Sequence, residues 1–445
     1  MELPNISITE KGLSNFEDAI HQEWLITNGL GGYASSTILG MNTRKYHGLL
    51  VAAMRPPRDR VVCLAKLDEE ISTGNGAYSL GANEFQNGIF PQGFRFLKEF
   101  SIAPFPRYLY SVENVEVEKT IFMLNKTNAT IVLYRIQNNH SCNVKVRIFP
   151  IISCRYYHFV VDRSRTPLDF VQKSIGKAVE TQSNIPKVAL ITEATSGKFH
   201  EKTQWIERIY YREESARAES CIDNYYQLGY FEMEATSGRK EEFAVATVAD
   251  ENAETAREIL NKTRFTMHNF EDLFNRELER HRSFLTKFYD SHPEIPFSDW
   301  LSWILLSTNN FIIDGPGRKK SVMAGYFWFE AWGRDTFISL PGLMLVNGRF
   351  EDAKKVFLDF EERCEHGLIP NFIQDKSGEP SYKTVDASLW FANAVLQYLK
   401  YTGDFEFVQK RLWETLKSIV ENYEKGIAYK IRADEDGLLA HGPRL

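Results

Sequence analysis

"EEFAVATVADENAETAREILNK", residues 241–262, carries two hydrophobic patterns in one line. Its first part, "EEFAVATV", is a short run of β-branched, aromatic and small residues that is typical of a buried strand. Its second part places apolar residues at helical spacing among many charges. The stretch therefore predicts that a β-rich region ends near Asp250 and that a helical region begins within the next few residues.

The region from about residue 20 to residue 250 repeats the strand pattern. Clusters of Gly, Pro and Asn separate the apolar runs, and no helical period lies between them. Many strands without intervening helices favour an antiparallel β-sandwich over an α/β sheet. We therefore predict a β-sandwich over residues 1–252. Its clearest runs are "RVVCLAKL" (60–67), "VEKTIFML" (117–124), "ATIVLYRI" (129–136), "VKVRIFPI" (144–151), "KVALITEA" (187–194) and "EEFAVATV" (241–248).

The rest of the chain is predicted to be helical, with a linker of one or two helices over residues 253–292 and an all-α part over residues 293–445. A closed barrel of twelve helices, built as a toroid of α-hairpins, needs on the order of 300 residues, at about 12 per helix plus connections. The last part supplies about half of that. We therefore expect a multidomain β + α chain with a small bundle or about half a barrel. The predicted helices cover about 299–312, 335–347, 350–364, 384–402 and 404–425.

The composition narrows the class of partner. The 445 residues are 43% hydrophobic and 25% charged, with a formal net charge of -6. A protein that follows a phosphate backbone usually shows a basic face, so we expect no nucleic acid partner. No basic and apolar leader opens the chain, and no apolar run approaches the roughly 20 residues of a spanning helix, so we expect no membrane partner. A small molecule or a neutral polymer fits better.

The cysteines and short motifs give no sign of a bound group. Five cysteines lie far apart without C-x-x-C spacing, which argues against a disulfide framework and against a zinc site. We expect free thiols in a reducing cytoplasm. No complete dinucleotide or phosphate-loop fingerprint is present, and no spacing suggests metal ligands, so we expect neither a cofactor nor a metal.

The aromatic stretch "AGYFWFEAWGRDT", residues 324–336, is either an extended piece of core or a binding surface. Glycines interrupt it, and it ends in two charged residues. Sugar-binding sites combine flat aromatic faces, which lie against C–H-rich pyranose rings, with charged groups that hold hydroxyls. Trp332, Arg334 and Asp335 supply these elements within four residues, which makes them candidate sugar-binding residues.

Two further stretches, "GLIPNFI" and "TVDASLWFANAV", carry candidate polar residues. Asn371 is predicted to lie in a loop, and Thr384 is a possible N-cap of the helix that follows. Two explanations for Asp386 stay open. It interacts favourably with the N-terminus of that helix, or it lines a cleft together with Trp390, four residues later.

Glycoside hydrolysis would need two carboxyl groups on either side of the scissile bond. Spacing in one dimension does not say which pair of acids meets. No nucleophile elbow and no H-E-x-x-H motif offers another chemistry. The candidate carboxylates are Glu330, Asp335, Asp386, Asp434, Glu435 and Asp436.

Two long motifs carry a family resemblance. "EWLITNGLGGYASSTILGMNTRKYHGLL" (23–50) resembles the N-terminal domain signature of the bacterial and archaeal glycogen debranching enzymes. "AGYFWFEAWGRDTFISLPGLML" (324–345) resembles the start of their amylo-α-1,6-glucosidase domain, and the two shorter stretches match later parts of that domain in order. From the residues alone, Arg44, Tyr46 and His47 in the first motif either reach a ligand or belong to paired strands without function.

The resemblance implies a β-sandwich joined to an (α/α)6 barrel like that of glucoamylases. It implies inverting removal of α-1,6-linked glucose from branch stubs of glycogen or a limit dextrin, without a cofactor. In that reading Arg334 and Asp335 would bind the hydroxyls of the terminal glucose and Trp332 would wall its pocket. Asn371 and Asp386 would lie near the same pocket.

The match departs from the family at its end. After "DGLL" the family continues to a "TWMD"-like motif, which holds the expected general acid, and later to a Glu that is the expected general base. Here the sequence reads "DEDGLLAHGPRL" and ends at Leu445. We therefore expect both catalytic residues beyond residue 445, weak or absent activity, and self-association through an incomplete barrel. A non-catalytic glucan-binding protein and a glucoamylase- or trehalase-like exo-hydrolase stay open as alternatives.

Overall fold

The computed structural model describes residues 2–315, 317, 319–374 and 377–441. Internal contacts divide the chain into two compact units. Unit 1 comprises Met1–Arg55, Arg60–Thr286 and Ser298–Ser302, and unit 2 comprises Pro56–Asp59, Lys287–Phe297 and Trp303–Leu445. The predicted boundaries at residues 252 and 292 stay a prediction. The last four residues of the final predicted segment, 442–445, lie outside the described residues.

Unit 1 is built mainly from strands. They are β1 (Ile6–Thr9), β2 (Glu23–Thr27), β3 (Tyr33–Thr37), β4 (Gly48–Arg55), β5 (Arg58–Thr73), β6 (Gly76–Ser79), β7 (Ala82–Phe85), β8 (Gly88–Gln92), β9 (Leu97–Ile102), β10 (Pro106–Val112), β11 (Val115–Met123), β12 (Ala129–Asn138), β13 (Val144–Tyr156), β14 (Phe170–Ile175), β15 (Ala178–Asn184), β16 (Lys187–Ala194), β17 (Lys198–Tyr210), β18 (Ile222–Ala235) and β19 (Lys240–Asp250). The six apolar runs predicted to be strands coincide with strands, with Leu124 alone just outside.

These strands form two antiparallel sheets around one core. Within the described residues, sheet A has nine strands in the order β1-β9-β10-β11-β12-β19-β16-β15-β14. Sheet B has ten, in the order β2-β3-β4-β5-β13-β18-β17-β7-β8, with β6 paired to β5. Leu133 from sheet A and Ile148 from sheet B belong to the same buried cluster. In sheet A, Tyr134 lies opposite Phe243, and their rings stack with centroids 5.1 Å apart. The β-rich N-terminal region is therefore a sandwich, as predicted.

Three short helices lie among the strands, and two longer ones follow the last strand. The short helices are α1 (Glu10–Leu13), α2 (Phe16–Ile20) and α3 (Arg212–Ala216), and the longer ones are α4 (Ala253–Thr263) and α5 (Phe270–Ser291). The N-cap of α4 is Asn252, whose side chain accepts a hydrogen bond from the amide of Glu254 at 2.8 Å. α4 buries Ala256 and Leu260 and packs on β16 and β19. The change of pattern within residues 241–262 thus marks the end of a strand and the start of a helix.

Unit 2 is mainly helical, with three short hairpins. Its helices are α6 (Asp299–Phe311), which starts in the residues of unit 1, α7 (Gly333–Leu340), α8 (Phe350–Glu361), α9 (Ala387–Thr402), α10 (Phe405–Phe407) and α11 (Trp413–Lys425). Its strands are β20 (Ile312–Asp314), β21 (Lys320–Val322), β22 (Phe372–Ile373), β23 (Pro380–Ser381), β24 (Arg432–Ala433) and β25 (Leu439–Ala440).

A cluster of phenylalanine rings forms the centre of unit 2. The ring centroid of Phe337 on α7 lies 4.8 Å from that of Phe360 on α8 and 5.1 Å from that of Phe391 on α9, and both ring pairs are edge to face. The predicted helix at 335–347 begins earlier, at Gly333, and changes to a π-helical turn at Pro341. Proline has no amide hydrogen for the regular ladder, which explains the change.

The helix predicted over 404–425 is interrupted. Residues Val408–Leu412 form a π-helical turn between α10 and α11. The side chain of Asp404 caps α10 by accepting from the amide of Phe407 at 3.1 Å. None of the helices in the described part of the chain is both long and apolar enough to cross a membrane.

Candidate functional site

The aromatic stretch ends where two chain segments lie side by side. Trp332 pairs with Phe372 in an isolated antiparallel bridge, and the amide of Gly333 donates to the carbonyl oxygen of Asn371 at 2.8 Å. A Cβ atom on Gly333 would lie 2.1 Å from the carbonyl oxygen of Pro370, so any other residue would push the segments apart. Glycine at this position therefore keeps Trp332 close to the loop that carries Asn371.

The indole ring of Trp332 is held by aromatic packing. Its centroid lies 5.2 Å from that of Phe372 and 6.0 Å from that of Phe329, with the second ring edge-on at 86°. The Nε1–H group is buried and has no hydrogen-bond partner among the described residues. The orientation of the indole thus depends on its two aromatic neighbours, which fix a flat hydrophobic ring beside the polar groups that follow it.

Arg334 is joined to the start of α9 by a charged cluster. Its Nη2 donates to Oδ1 of Asp386 at 2.9 Å and to Oγ1 of Thr384 at 3.2 Å. Its Nε lies 2.7 Å from Oδ2 of Asp386, so two guanidinium nitrogens face two carboxylate oxygens. The hydroxyl of Thr384 also donates to Asp386. The side chains of Arg334 and Asp386 are still 42% and 33% exposed, so the pair is open to a ligand.

The surroundings of Asp386 keep its carboxylate charged. Burial alone would raise its pKa, but the hydrogen bonds from Arg334 and Thr384 and the charge of Arg334 outweigh burial, and the pKa is lowered. Asp386 is also the N-cap residue of α9, but its side chain makes no capping hydrogen bond. The prediction that Thr384 is the N-cap is wrong, because the N-cap lies two residues later, at Asp386, and the Thr384 hydroxyl is hydrogen-bonded to Asp386.

Asn371 holds the backbone at the start of α7. Its side-chain Oδ1 accepts a hydrogen bond from the backbone amide of Arg334 at 3.2 Å, and its backbone amide donates to the carbonyl oxygen of Ser381 at 2.9 Å. The first contact satisfies an amide in the first turn, where intrahelical partners are missing. Trp332, Arg334, Asn371 and Asp386 therefore lie in one connected cluster, which we call the Arg334 cluster.

Asp335 is next to the cluster in sequence but takes no part in its hydrogen bonds. It lies in the first turn of α7, where a negative charge interacts favourably with the helix dipole. Among the residues that the structure describes, no side chain pairs with its half-buried carboxylate. Its oxygens are available to a ligand.

The remaining candidate carboxylates lie elsewhere. Residues 434–436 form the exposed turn between β24 and β25, where Asp434 accepts a hydrogen bond from Nε of Arg432 at 3.1 Å. Glu330 precedes the bridge of Trp332. Of the six candidate carboxylates, Asp386 is the one that the described contacts join to Arg334.

Unit 2 also contains a cavity of about 290 Å³. Its lining includes Glu330, Lys319, Asp359 and Arg363. Lys319 and Arg363 both pair with Oδ1 of Asp359, at 2.8 and 3.2 Å, so each of these three charges has a partner of opposite sign. The Arg334 cluster is not part of the described lining. The cavity thus borders the segment before Trp332, through Glu330 and Ala331, while none of the four cluster residues is in its described lining.

The polar group in the N-terminal motif belongs to a closed cluster in unit 1. Nε of Arg44 donates to Oε1 of Glu23 at 2.6 Å, and Nε2 of His47 lies 3.2 Å from the same oxygen. The Tyr46 hydroxyl forms a 3.1 Å hydrogen bond with Nδ1 of His158, and burial raises the pKa of Tyr46 to about 12. Because these side chains are largely buried and paired, they hold strands and loops together.

Sequence reasoning missed two contributors to the Arg334 cluster. Thr384 reaches both charged partners, and Phe372 packs on Trp332, although both residues lie in stretches that were singled out. A hydroxyl two residues before Asp386 was a usable signal for Thr384, because short side chains at that spacing often hydrogen-bond locally. The bridge that brings Phe372 to Trp332 had no such signal.

Comparisons with known proteins agree with the two motifs. The family model "Glycogen debranching enzyme N terminal" matches residues 22–241, and the model "Amylo-alpha-1,6-glucosidase" matches residues 306–445. The glycogen debranching enzyme of Saccharomyces cerevisiae is 43% identical over 79 residues, which are 18% of this chain and 5% of the yeast protein. The match thus spans a small part of that relative.

A comparison with solved structures matched two proteins of low sequence identity over most of this chain. A putative kojibiose phosphorylase from the human microbiome has a TM-score of 0.49 and 11% identity, over 94% of this chain and 54% of that chain. A bacterial glucoamylase in complex with acarbose has a TM-score of 0.48 and 10% identity, over 92% of this chain and 57% of that chain. The chain thus spans little more than half of either. Since models of one family match both its β-rich and its helical part, the chain belongs to the family of glycogen debranching enzymes.

Proposed function

We propose that the Arg334 cluster binds a terminal glucose of branched α-glucan, and that the chain acts as an inverting amylo-α-1,6-glucosidase that removes α-1,6-linked branches of glycogen. The observation that carries the proposal is the cluster itself. A fixed indole, a guanidinium, an amide and a carboxylate converge within the segment matched by the amylo-α-1,6-glucosidase model. The match to the N-terminal model does not favour an exo-hydrolase of linear chains or a protein that only binds glucan.

The roles of the residues follow from their chemistry. The ring of Trp332 is a flat wall for the C–H face of the sugar. Arg334 offers donors and Asp386 offers acceptors, and a sugar hydroxyl can use both at once. Asp335 adds an unpaired carboxylate beside Arg334. Asn371 acts indirectly, because it holds the backbone that carries Arg334.

We assign Asp386 to binding and not to proton donation. In inverting hydrolysis a protonated carboxyl group donates to the leaving oxygen, while a second carboxylate activates a water on the opposite face of the ring. A general acid at neutral pH needs a raised pKa, whereas the pKa of Asp386 is lowered by Arg334 and Thr384. No described residue is assigned to either catalytic role.

We further propose that the helices of unit 2 are part of an (α/α)6 barrel and that their open face associates with other helices, including those of a second copy. On α9, Leu389 and Leu396 are exposed and seven residues apart, and on α11 the same holds for Trp413 and Val420. Residues at this spacing lie on one face of a helix, so each helix presents an apolar stripe. Sedimentation velocity of the purified chain tests this, because a monomer at all concentrations would contradict it.

A cytoplasmic location is part of the same proposal. All five cysteines are free thiols, and such thiols persist in a reducing compartment. Fractionation of the native host cells would contradict the proposal if the protein were found outside the cytoplasm.

The substrate proposal is tested by calorimetric titration with two oligosaccharides of equal glucose count. One carries a single α-1,6-linked glucose stub and the other is linear. We expect tighter binding of the stub-bearing compound, and loss of that preference in Trp332→Ala. Equal or tighter binding of the linear compound would contradict the proposal. Glucose release from the stub, measured in the same samples, would assign catalysis to this chain, and binding without release would assign it the binding step alone.

A further inference from the structure

The five cysteines have very different surroundings. Cys63 and Cys154 are fully buried, and burial raises the pKa of Cys63 to about 12 and that of Cys154 well above its usual value. Burial also raises the pKa of Cys364, to about 11. Thiols of this kind stay protonated and unreactive at neutral pH. Cys221 is half-buried, and Cys142 is the exposed one of the five.

Cys142 lies directly against a histidine. Its Sγ is 3.1 Å from Nδ1 of His140, within hydrogen-bond distance for sulfur. The backbone amide of Cys142 donates to the same nitrogen at 3.3 Å. An amide N–H can donate only to a nitrogen that carries no proton, so in the neutral ring the proton is on Nε2. Nδ1 is then the acceptor for the thiol hydrogen.

Glu113 lies on the other side of the His140 ring. Its Oε2 is 3.9 Å from Nε2 of His140. The hydrogen bonds from Asn75 and Tyr78 lower the pKa of Glu113 and so keep it charged. The negative charge favours a proton on Nε2 and stabilises the ring once Nδ1 has also taken one. Because Cys142 and Glu113 face opposite ring nitrogens, they cannot hold one metal ion together. The thiol of Cys142, the imidazole of His140 and the carboxylate of Glu113 are instead arranged in a row, as nucleophile, base and orienting group.

The loop that carries the pair is held in place. The side-chain amide of Asn138 donates to the carbonyl oxygens of Cys142 and Ala235, at 3.1 and 2.9 Å, while its Oδ1 accepts from the amide of His140 at 2.9 Å. The hydroxyl of Ser237 donates to the carbonyl oxygen of His140 at 2.7 Å. The thiol and the imidazole are thus pre-positioned, as nucleophile and base must be.

We propose that Cys142 is a nucleophilic thiol, activated by His140 and oriented by Glu113, that undergoes exchange with small disulfides. His140 Nδ1 takes the thiol proton and gives up its 3.3 Å hydrogen bond from the backbone amide of Cys142, and the thiolate attacks one sulfur of the disulfide RSSR. The Cys142–S–SR bond forms, the S–S bond of the reagent breaks, and the leaving RS⁻ takes the proton back as RSH. The disulfide is the oxidant, and its second sulfur is reduced. This modification site is independent of the glucan site.

The reaction is measured with an aromatic disulfide whose released thiolate is coloured, such as 5,5′-dithiobis(2-nitrobenzoate), at neutral pH on the native chain. With this reagent the leaving thiolate stays unprotonated, so the proton on His140 passes to the solvent. We expect one fast phase, which peptide mapping by mass spectrometry assigns to Cys142 and which Cys142→Ser removes. Cys221 reacts more slowly and gives the internal reference. In His140→Gln the fast phase slows by about tenfold or more, since general base assistance is typically worth at least that much. Glu113→Gln slows it less.

The variants separate activation from mere exposure. His140→Asn is a second substitution at the same position, in case one of the two impairs folding, and thermal unfolding of every variant checks this. If both histidine variants react at the wild-type rate, or if the fast phase survives Cys142→Ser, the proposal is overturned. A Glu113→Gln rate equal to wild type would remove Glu113 from the proposal while the Cys142–His140 pair stands.

Discussion

The two long motifs each contain an arginine paired with a carboxylate, and the two pairs differ in how open they are. In unit 1, Arg44 and Glu23 are 17% and 21% exposed, and His47 closes the cluster. In unit 2, Arg334 and Asp386 are 42% and 33% exposed and stand beside the fixed ring of Trp332. The same kind of ion pair thus lies once in a largely buried cluster and once where both side chains stay a third or more exposed to solvent.

The difference shows why a charged motif needs burial before it can be interpreted. A closed cluster has its donors and acceptors matched within the protein, so its loss is expected to change stability. An open cluster leaves hydrogen-bonding capacity and a flat ring for a ligand, so its loss is expected to change affinity.

Glu23→Ala should destabilise unit 1 by about 2–4 kcal/mol, because it removes the carboxylate that Arg44 and His47 share in a largely buried place, while Arg44 keeps a longer 3.5 Å contact with Glu213. Urea denaturation followed by circular dichroism measures the effect. Glu10→Ala, which removes the exposed partner of Lys98, is the matched control and should cost less than about 0.5 kcal/mol. An equal effect of the two substitutions would break the comparison, as would a loss of glycogen binding in folded Glu23→Ala.

Lowering the pH should weaken unit 1 before it affects the open pair. Burial, with Arg280 beside it, lowers the pKa of His281 from 6.5 to about 4. Between these values the unfolded chain takes up a proton that the folded chain refuses, so the free energy of unfolding should fall by about 2–3 kcal/mol from pH 7 to pH 4.5. The contribution of the Arg334–Asp386 pair to the free energy of unfolding persists over this range. The pKa of Asp386 is lowered in the folded chain, so the stabilisation from this carboxylate is lost only as the pH falls below about 3.9.

Denaturation at several pH values, with His281→Gln as the comparison, measures this effect. The glutamine keeps a hydrogen-bond donor towards the carbonyl oxygen of Glu277, which Nδ1 of His281 contacts at 2.8 Å. The variant should lose about 2–3 kcal/mol of the pH dependence between pH 7 and pH 4.5. The account of His281 fails if the two proteins show the same slope.

Asp386→Asn should weaken glycogen binding by about tenfold to a hundredfold, because a charged hydrogen-bond partner is worth about 1.5–3 kcal/mol. The denaturation midpoint should change little, since the pair is a third or more exposed. Asp434→Asn, in the exposed turn of unit 2, is the control and should bind as the unsubstituted chain does. If Asp386→Asn unfolds the unit but binds normally while folded, the open cluster is structural like the closed one.

Thr384→Val should weaken binding a few-fold, about 1 kcal/mol, because it removes one hydroxyl that orients Asp386 and Arg334 while keeping the side-chain shape. Thr384→Ser should restore the affinity. Titration calorimetry of the two variants distinguishes orientation from packing. If Thr384→Ser binds as poorly as Thr384→Val, the hydroxyl is not what matters.

Much of the fold was predictable because its signals are local. The change of hydrophobic period in residues 241–262 located the end of β19 and the start of α4, and the apolar runs located the central strands. The break of α7 at Pro341 and the π-helical turn before α11 were missed, because an apolar stripe continues through both.

The candidate site was only partly predictable because its contacts join distant parts of the chain. Residue types alone singled out Trp332, Arg334 and Asp335 and made Asp386 a candidate carboxylate, and the resemblance then put Asn371 and Asp386 near the same pocket. The hydrogen bond between Arg334 and Asp386 joins residues 52 positions apart in the sequence, and the β-bridge between Trp332 and Phe372 also joins two distant segments. Nor does spacing show that Arg44 is buried by the strands around it while Arg334 is not. The exposed fractions and the ion-pair partners of Arg44 and Arg334 distinguish the two clusters, and both are properties of the folded chain.

Affinity electrophoresis in gels with and without glycogen tests whether the Arg334 cluster binds glucan, with Trp332→Ala compared to Trp300→Ala. Both substitutions remove an indole, but Trp300 lies on α6 and is 67% exposed. We expect glycogen to retard the unsubstituted chain and Trp300→Ala alike, and to leave the mobility of Trp332→Ala unchanged. Equal retardation of all three proteins would contradict the assignment of the Arg334 cluster as the glucose-binding site.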